Sequence, residues 1–178
     1  LRLSRGLGDV YKRQRSYRMI KIFVTGGTFD KDFDEKNGKL FFRHTHMNEI
    51  LALGRSRVNV DIETLMMIDS LEMTDEKRAF VVENCANALE EQIIVTHGTD
   101  TMGISAAAVA FSWSGNGGRP PGPIVFTGSQ RSSDRGSSDA KENLIAAVHL
   151  AGHGPKPSGN GDSTLVVMHE DSSDGVLS

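Results

Sequence analysis

Two threonine-containing turns are the parts of this chain best suited to chemistry. The segments Val24-Thr25-Gly26-Gly27-Thr28-Phe29 and Thr96-His97-Gly98-Thr99-Asp100-Thr101 each end an apolar stretch. A threonine hydroxyl attacks a carbonyl carbon when a neighbouring group takes its proton and N–H groups stabilise the oxyanion. We therefore interpret Thr28 and Thr99 as candidate catalytic hydroxyls. Asp100 is a candidate to orient a lysine or to bind a substrate ammonium group.

The segments around these turns predict an α/β fold. Ile20 to Val24 and Gln92 to Thr96 are apolar and rich in β-branched residues, which is typical of buried parallel strands. Alternation of strands and helices favours right-handed crossovers, so we predict a three-layer fold with a mostly parallel sheet flanked by helices. Both turns then lie at the carboxyl edge of the sheet, where following helices present free N–H groups to ligands.

Other segments carry weaker secondary-structure signals. They predict a hairpin arm at Lys39–Phe42, helices at Met47–Leu53, Thr74–Leu89, Ile104–Phe111 and Asp139–Leu150, strands at Val58–Leu65, Ile124–Thr127 and Leu165–Met168, and loops at Ser112–Pro123 and Ala151–Asp162. Gly54 is expected to end the first helix and Thr74 to cap the second. In the second helix, Phe80, Cys85 and Leu89 are predicted to share one apolar face.

Length and charge narrow the class of protein. The 178 residues suffice for one sizeable domain, and the net charge of -3 provides no basic stripe for a nucleic acid. No apolar run is long enough to span a membrane and no secretion signal is recognisable, so we expect a cytoplasmic protein without a membrane partner. The single Cys85 cannot form an internal disulfide and is expected to be buried.

Residues 1–18 differ in composition from the rest of the chain. They are basic, punctuated by glycine and without apolar periodicity, and they end just before Met19. We interpret residues 1–18 as a non-native or disordered leader, with a natural basic arm as the alternative. Residues 19–178 then form the domain.

The two turns resemble those of bacterial-type L-asparaginases, a family that includes glutaminase-asparaginases and an archaeal tRNA amidotransferase subunit. Its T-G-G-T-[IF] motif places the first threonine at Thr28, and its H-G-T-D-T motif places the second threonine and the aspartate at Thr99 and Asp100. Two further segments resemble family motifs and are interpreted as structural supports: Thr127–Arg131, similar to T-G-[AS]-[MQ]-R, and Ser138–Leu144, similar to S-D-x-x-x-N-L. The resemblance runs from Met19 to the end and implies the asparaginase amino-terminal domain fold.

This resemblance implies hydrolysis of L-asparagine to L-aspartate and ammonia by threonine nucleophilic catalysis. Thr28 would attack the side-chain amide, and Thr99 would assist proton transfer with a lysine. Asp100 would bind the α-ammonium group, and Ser70 matches a serine that contacts the substrate carboxylate. The partner implied is a small amino-acid amide. No metal or organic cofactor is expected, and the full-length protein is expected to be a homo-oligomer.

Three departures from the family pattern bear on activity. Phe33 stands where many relatives have a tyrosine in the loop over the site, and Leu71 replaces a residue that is often polar. In the family, the catalytic lysine follows a V-V-M-[NH]-[DE] strand and an Asp-Gly turn, whereas the sequence ends at Ser178. We therefore expect a domain truncated before this lysine and the carboxy-terminal domain, with impaired activity.

Other functions stay open. Ser129 to Asp134 resembles the tRNA amidotransferase subunit, so an ammonia-generating, glutaminase-like subunit is one alternative, which a fused upstream domain would favour. A nucleotide-binding oxidoreductase is another, because the first turn resembles a dinucleotide fingerprint. Phe29 and Asp30 argue against it, since the fingerprint needs more glycines and a carboxylate would repel a pyrophosphate. The domain could also bind an amino acid weakly without catalysis. Separately, Ser70 could be an ordinary polar residue at the end of a strand, and we interpret His97 as a turn histidine whose ring is hydrogen-bonded.

Overall fold

The computed structural model of the chain describes residues 19–114, 122–154 and 164–168. Within these ranges the strands are β1 (Met19–Gly26), β2 (Lys31–Asp34), β3 (Lys39–Phe42), β4 (Asn59–Ile68), β5 (Gln92–Thr96), β6 (Ile124–Thr127) and β7 (Thr164–Val167). The helices are α1 (Met47–Leu53), α2 (Asp75–Asn87), α3 (Met102–Ser114) and α4 (Ala140–His153). Two short 3-10 turns cover Thr28–Asp30 and Ser70–Glu72. The predicted leader, residues 1–18, lies outside the described residues.

Five strands form one parallel sheet in the order β4-β1-β5-β6-β7. One face of the sheet packs against α1 and α4, and the other packs against α2 and α3. The strands β2 and β3 form a separate antiparallel hairpin. The predicted three-layer α/β fold is therefore confirmed.

The central strands are apolar because both of their faces are buried. In β1, Ile22 and Val24 face α1 and α4, whereas Phe23 faces α2 and α3. In β5, Ile94 faces α1 and α4, and Val95 faces α2 and α3. All five side chains are at most 2% exposed. Burying each stabilises the fold by about 1.5–3 kcal/mol, which anchors the two strands that carry the threonine turns.

Buried threonines and backbone bonds fix the carboxyl ends of these strands. The Thr25 hydroxyl donates to the backbone oxygen of Thr96 over 2.8 Å, which ties β1 to β5. The Gly27 N–H donates to Ile68 O at the end of β4, and the His97 N–H donates to Thr127 O at the end of β6, both over 2.9 Å. Four strand ends therefore meet at one edge of the sheet.

The first threonine turn does not open onto a helix, contrary to the expectation that a helix would supply N–H groups there. A 3-10 turn and the β2–β3 hairpin follow β1. Phe29 and Asp30 are fully buried, and Asp30 Oδ1 accepts hydrogen bonds from Thr45 Oγ1 at 2.8 Å and His46 N at 3.1 Å. These contacts fasten the turn to the start of α1. Because a dinucleotide-binding turn needs a helix N-terminus directly after its strand, the oxidoreductase interpretation loses its structural basis.

Some details of the helices also differ from prediction. In α2, Cys85 is buried as expected, but Phe80 is 45% exposed. Leu89 lies beyond the end of α2 at Asn87 and is 85% exposed, so the predicted face is wrong for these two residues. The first predicted loop begins too early, because α3 continues to Ser114, and α4 likewise continues to His153. The parts of the two predicted loops at 115–121 and 155–163 lie outside the described residues. No helix within the described ranges is long and apolar enough to cross a membrane.

Candidate active site

The turn after β1 lies directly against the turn after β5. Gly26 and Gly27 have φ values of 97° and 79°, in the left-handed region that favours glycine. A Cβ atom on Gly27 would lie 2.4 Å from the backbone nitrogen of Gly98 and 2.5 Å from its Cα atom. Only glycine fits at this contact, so the turns that carry Thr28 and Thr99 touch through their backbones.

Ser70 joins the end of β4 to the same place. Its side chain is buried, and a Cβ atom on Gly98 would lie 2.6 Å from the Ser70 Cβ atom. The Ser70 hydroxyl donates to Asp100 Oδ2 over 3.0 Å, and the Thr101 hydroxyl donates to Ser70 O over 2.8 Å. Of the three residues predicted to bind substrate, Ser70, Thr99 and Asp100, the structure therefore brings Ser70 and Asp100 into direct contact.

Thr28 and Thr99, the two predicted catalytic hydroxyls, lie on adjoining turns. Both side chains are half-buried, and Asp100 is exposed, so the meeting point of the turns is accessible to a small ligand. Within the described residues, neither threonine hydroxyl is hydrogen-bonded to the other, to Ser70 or to Asp100.

His97 supports the second turn from beneath. Its Nδ1 lies 2.8 Å from the backbone oxygen of Gly98, and its Nε2 lies 2.8 Å from Ser105 Oγ. Because a carbonyl oxygen only accepts, Nδ1 carries the proton and Nε2 accepts from the Ser105 hydroxyl. Burial lowers the pKa of His97, which favours the neutral ring. His97 therefore ties the turn to α3, in agreement with its interpretation as a turn residue with a satisfied ring.

The segment after β6 is braced by the start of α4. The Asp139 carboxylate accepts from the Gln130 N–H at 3.0 Å, and Asn143 Nδ2 donates to Gly128 O and to Asp139 Oδ2, both at 2.9 Å. A Cβ atom on Gly128 would lie 2.3 Å from His97 O, so this segment also packs closely on the second turn. These contacts are what a structural support for the site requires.

The β2–β3 hairpin is attached to two loops at the site. Lys31 Nζ forms an ion pair with Asp69 Oδ2, next to Ser70 in sequence. The Phe33 N–H donates to Asp134 Oδ2 over 2.7 Å, and the guanidinium carbon of Arg135 lies 4.2 Å from the centroid of the Phe33 ring. Phe33 packs against a cation here and contributes no hydroxyl to the site.

Asp30 is the described carboxyl group most perturbed by burial. Burial raises its pKa from 3.8 to about 6, and the hydrogen bonds from Thr45 and His46 offset part of this effect. Its Oδ2 atom has no hydrogen-bond partner among the described residues. Asp30 lies two residues after Thr28, and its carboxyl group connects this turn to Thr45 and His46 before α1.

Away from the two turns, the described residues form no cluster of metal ligands but do form a groove. No group of three or more His, Cys, Asp or Glu side chains in these ranges is arranged to hold a metal ion. A groove of about 730 Å³ runs beside the hairpin, lined among others by Asp32, His44, His46 and Asp134. None of the four predicted site residues lines this groove, which separates it from the meeting point of the turns.

Sequence reasoning assigned no role to three residues that shape the site: Asp30, Lys31 and Asp69. The pair Lys31–Asp69 spans 38 positions and depends on how the hairpin folds back. A signal was available for Asp30, because a carboxylate directly after a buried phenylalanine must find hydrogen-bond donors. No local pattern indicates the ion pair.

Comparison with known proteins identifies the family. The family described as Asparaginase, N-terminal, matches residues 19–177. The chain belongs to the asparaginase family. The match extends over the β1–β7 sheet, so the described fold is that of an asparaginase N-terminal domain.

Individual relatives of this asparaginase-family chain carry two kinds of name. The chain is 41% identical over 137 residues to a glutamyl-tRNA(Gln) amidotransferase subunit from Archaeoglobus fulgidus, covering 74% of this chain and 31% of that protein. It is 35% identical over 173 residues to the protein of the same name from Thermococcus kodakarensis, covering 93% and 37%. A solved structure, the probable cytoplasmic L-asparaginase from Campylobacter jejuni, matches with a TM-score of 0.66 at 25% identity, covering 84% of this chain and 44% of that one. The chain thus spans about a third of the length of the curated relatives it matches.

Proposed function

We propose that this chain carries the ammonia-releasing site of a glutamyl-tRNA(Gln) amidotransferase, acting on the side-chain amide of L-glutamine. The observation that supports an amidohydrolase site is the contact between the Gly27 turn, which carries Thr28, and the Gly98 turn, which leads to Asp100 and its hydrogen bond with Ser70. The choice of an amidotransferase is supported by the relatives of that name, at 41% and 35% identity.

The reaction consists of two acyl transfers. Thr28 Oγ attacks the side-chain amide carbon of glutamine, the carbon–nitrogen bond breaks, and ammonia leaves with the hydroxyl proton. Water then attacks the resulting ester, which releases glutamate and restores the Thr28 hydroxyl. Splitting hydrolysis in this way replaces one difficult step by two easier ones. The backbone N–H groups of Thr28 and Thr99 are the proposed donors to the oxyanion.

The remaining site residues have binding and proton-transfer roles in this proposal. Asp100 binds the α-ammonium group of the substrate, because its carboxylate is exposed and oriented by Ser70. Ser70 contacts the α-carboxylate of the substrate, and Thr99 relays a proton during the acyl transfers. The net charge of -3 favours placing the contact with tRNA on another part of the complete protein or on another subunit.

A free-standing L-asparaginase is the second candidate. It is supported by the likeness to the probable cytoplasmic L-asparaginase of Campylobacter jejuni and by the same threonine turns. The two candidates differ in substrate by one methylene group, which a pocket discriminates by only about 1–3 kcal/mol. Because both candidates have the same threonine turns, the measured preference for L-glutamine or L-asparagine is what distinguishes them.

The test is ammonia release by the complete protein from L-glutamine and from L-asparagine. The amidotransferase proposal predicts a higher kcat/KM for L-glutamine, and stimulation when the partner subunit and glutamylated tRNA are added. Thr99→Val should reduce the rate on either substrate, since it removes the proposed proton relay. A higher kcat/KM for L-asparagine, unaffected by the partner and tRNA, would favour the asparaginase. Absence of ammonia release from both amides would contradict both candidates.

A further inference from the structure

The β2–β3 hairpin places a cation beside the buried serine of the site. Lys31, the first residue of β2, pairs through Nζ with Asp69 Oδ2, and its side chain is only 15% exposed. The other oxygen, Asp69 Oδ1, accepts from the Leu71 N–H at 3.0 Å. Asp69 therefore holds both the Ser70 turn and the lysine, and this ion pair lowers the pKa of Asp69. The ammonium group is fixed next to the turn that presents Ser70.

The charges around Ser70 create a problem for an anionic ligand. Asp69 precedes Ser70 in the chain, and the Ser70 hydroxyl is donated to Asp100. A substrate carboxylate at the Ser70 hydroxyl would meet the Asp100 carboxylate and a hydroxyl whose proton is already donated to it. Two negative charges close together repel each other unless a cation offsets them. Lys31 supplies a cation that is ion-paired with Asp69 of this turn.

We infer that Lys31 is a specificity-determining residue of this site: its ammonium group, held by Asp69, faces the α-carboxylate of the amino-acid substrate. The inference rests on the proposed function, because it needs an α-amino acid bound between Ser70 and Asp100. Asp100 then takes the α-ammonium group and Lys31 takes the α-carboxylate. Together they select a zwitterionic amino acid over the α-amide or α-ester of the same amino acid, which has no α-carboxylate.

Two other roles for Lys31 explain less. An ammonium group in an ion pair has no lone pair, so Lys31 is not the base that accepts the Thr28 proton. A purely structural contact between hairpin and turn would stabilise the fold but would not distinguish ligands by their α-carboxylate. Lys77 offers a comparison, because its Nζ donates to Glu72 O at 2.9 Å at the exposed end of the same turn.

The test is the affinity of the complete protein for L-glutamate and for L-isoglutamine, in which an uncharged amide replaces the α-carboxylate. Isothermal titration calorimetry measures both dissociation constants without turnover. Lys31→Gln should weaken L-glutamate binding about tenfold, since a hydrogen-bonded charge is lost, and should change L-isoglutamine binding less than about twofold. Lys31→Arg should keep most of the affinity for L-glutamate because it retains the cation.

Matched variants exclude a general effect of charge or stability. Lys77→Gln removes a cation from the same turn and should leave both dissociation constants unchanged. The inference is overturned if Lys31→Gln weakens both ligands equally, if it weakens neither, if Lys77→Gln has the same effect, or if the unmodified protein binds neither ligand. The proposed function fails separately, when the unmodified protein releases no ammonia. A protein that releases ammonia yet shows equal effects on both ligands refutes only the role of Lys31.

Discussion

The Ser70 hydroxyl donates a 3.0 Å hydrogen bond to Asp100 Oδ2, across 30 positions of the sequence. This bond joins the turn after β4 to the turn after β5 and orients an exposed carboxylate from a buried support. Thr101 secures the same support, because its hydroxyl donates to Ser70 O. The carboxylate proposed to bind the substrate ammonium group is thus positioned before a ligand arrives, which reduces the entropic cost of binding.

Removing this hydrogen bond should affect binding more than chemistry. We expect Ser70→Ala to raise KM for the amino-acid amide about tenfold or more, because the bond involves a charged group, with a smaller change in kcat. Steady-state ammonia release measures both parameters. Ser56→Ala is the control, since Ser56 lies between α1 and β4, away from the turns. An unchanged KM for Ser70→Ala would contradict its proposed place in the substrate site.

The contact between the two turns predicts a strong requirement for glycine. Gly27→Ala should destabilise the protein by more than about 2 kcal/mol, because the new Cβ atom would lie 2.4 Å from Gly98 N and the φ value is 79°. Urea unfolding measures the change. Gly38→Ala is the matched control, with a φ value of 63° but nothing within 4 Å of its Cβ position. It should cost about 1 kcal/mol from backbone strain alone. Equal losses in the two variants would show that the close contact contributes nothing.

The strands that hold the site could be predicted because their signals are local. The predicted bounds of β3, β5 and β6 agree with the structure, since each combines an apolar or β-branched run with neighbouring turn residues. The strand β2 was missed because Lys31-Asp32-Phe33-Asp34 is mostly charged. It forms by pairing with β3 and by attachment to Asp134, neither of which is visible in a local pattern.

Gly54 shows how a correct boundary can have a different cause. It ends α1 as predicted, but its φ value of -73° is ordinary, and the positive φ value of 52° belongs to Arg55. A Cβ atom on Gly54 would lie 2.4 Å from Ile145 Cδ1, so Gly54 packs closely against the side chain of Ile145 on α4. The pairs Ser70–Asp100 and Lys31–Asp69 were likewise beyond local reasoning, because tertiary contacts decide them.

The buried carboxyl group of Asp30 predicts a definite pH dependence of stability. Its pKa is about 6 in the folded protein against an ordinary 3.8, so the folded state binds its proton more tightly than the unfolded state. The stabilisation is complete below pH 3.8 and is lost as the pH rises through 6. Asp30→Asn should remove this dependence. The difference in free energy of unfolding, variant minus unmodified protein, should therefore rise by about 1 kcal/mol between pH 5 and pH 7.

Urea unfolding at the two pH values checks this prediction. Asp34→Asn is the control, because Asp34 lies in the same hairpin, and hydrogen bonds from Asn37 lower its pKa below 3.8. Its contribution is present above pH 3.8 and is lost only as the pH falls below that value, outside the range measured. A difference for Asp30→Asn that is the same at pH 5 and pH 7 would show that Asp30 does not titrate in this range.

The His97–Ser105 hydrogen bond predicts a stability effect beneath the second turn. Ser105→Ala leaves the buried Nε2 atom of His97 without its hydrogen-bond donor. At pH 7.5, where the His97 ring is neutral, the variant should lose about 1–2 kcal/mol of unfolding free energy. Ser112→Ala is a control on the same helix, because its hydroxyl donates to Val109 O in a half-buried position. It should cost less than about 0.5 kcal/mol. Equal losses of unfolding free energy in Ser105→Ala and Ser112→Ala, measured by chemical unfolding, would contradict a stabilising role for the Ser105–His97 hydrogen bond.

The most direct test of the proposed mechanism is ammonia release by the complete protein after Thr28→Ala, compared with Thr64→Ala on the exposed side of β4. If Thr28 is the nucleophile, Thr28→Ala should lower kcat at least about a thousandfold while the protein stays folded. Thr64→Ala should retain the rate of the unmodified protein. A Thr28→Ala variant that keeps kcat within about tenfold of the unmodified protein would contradict threonine nucleophilic catalysis at this turn.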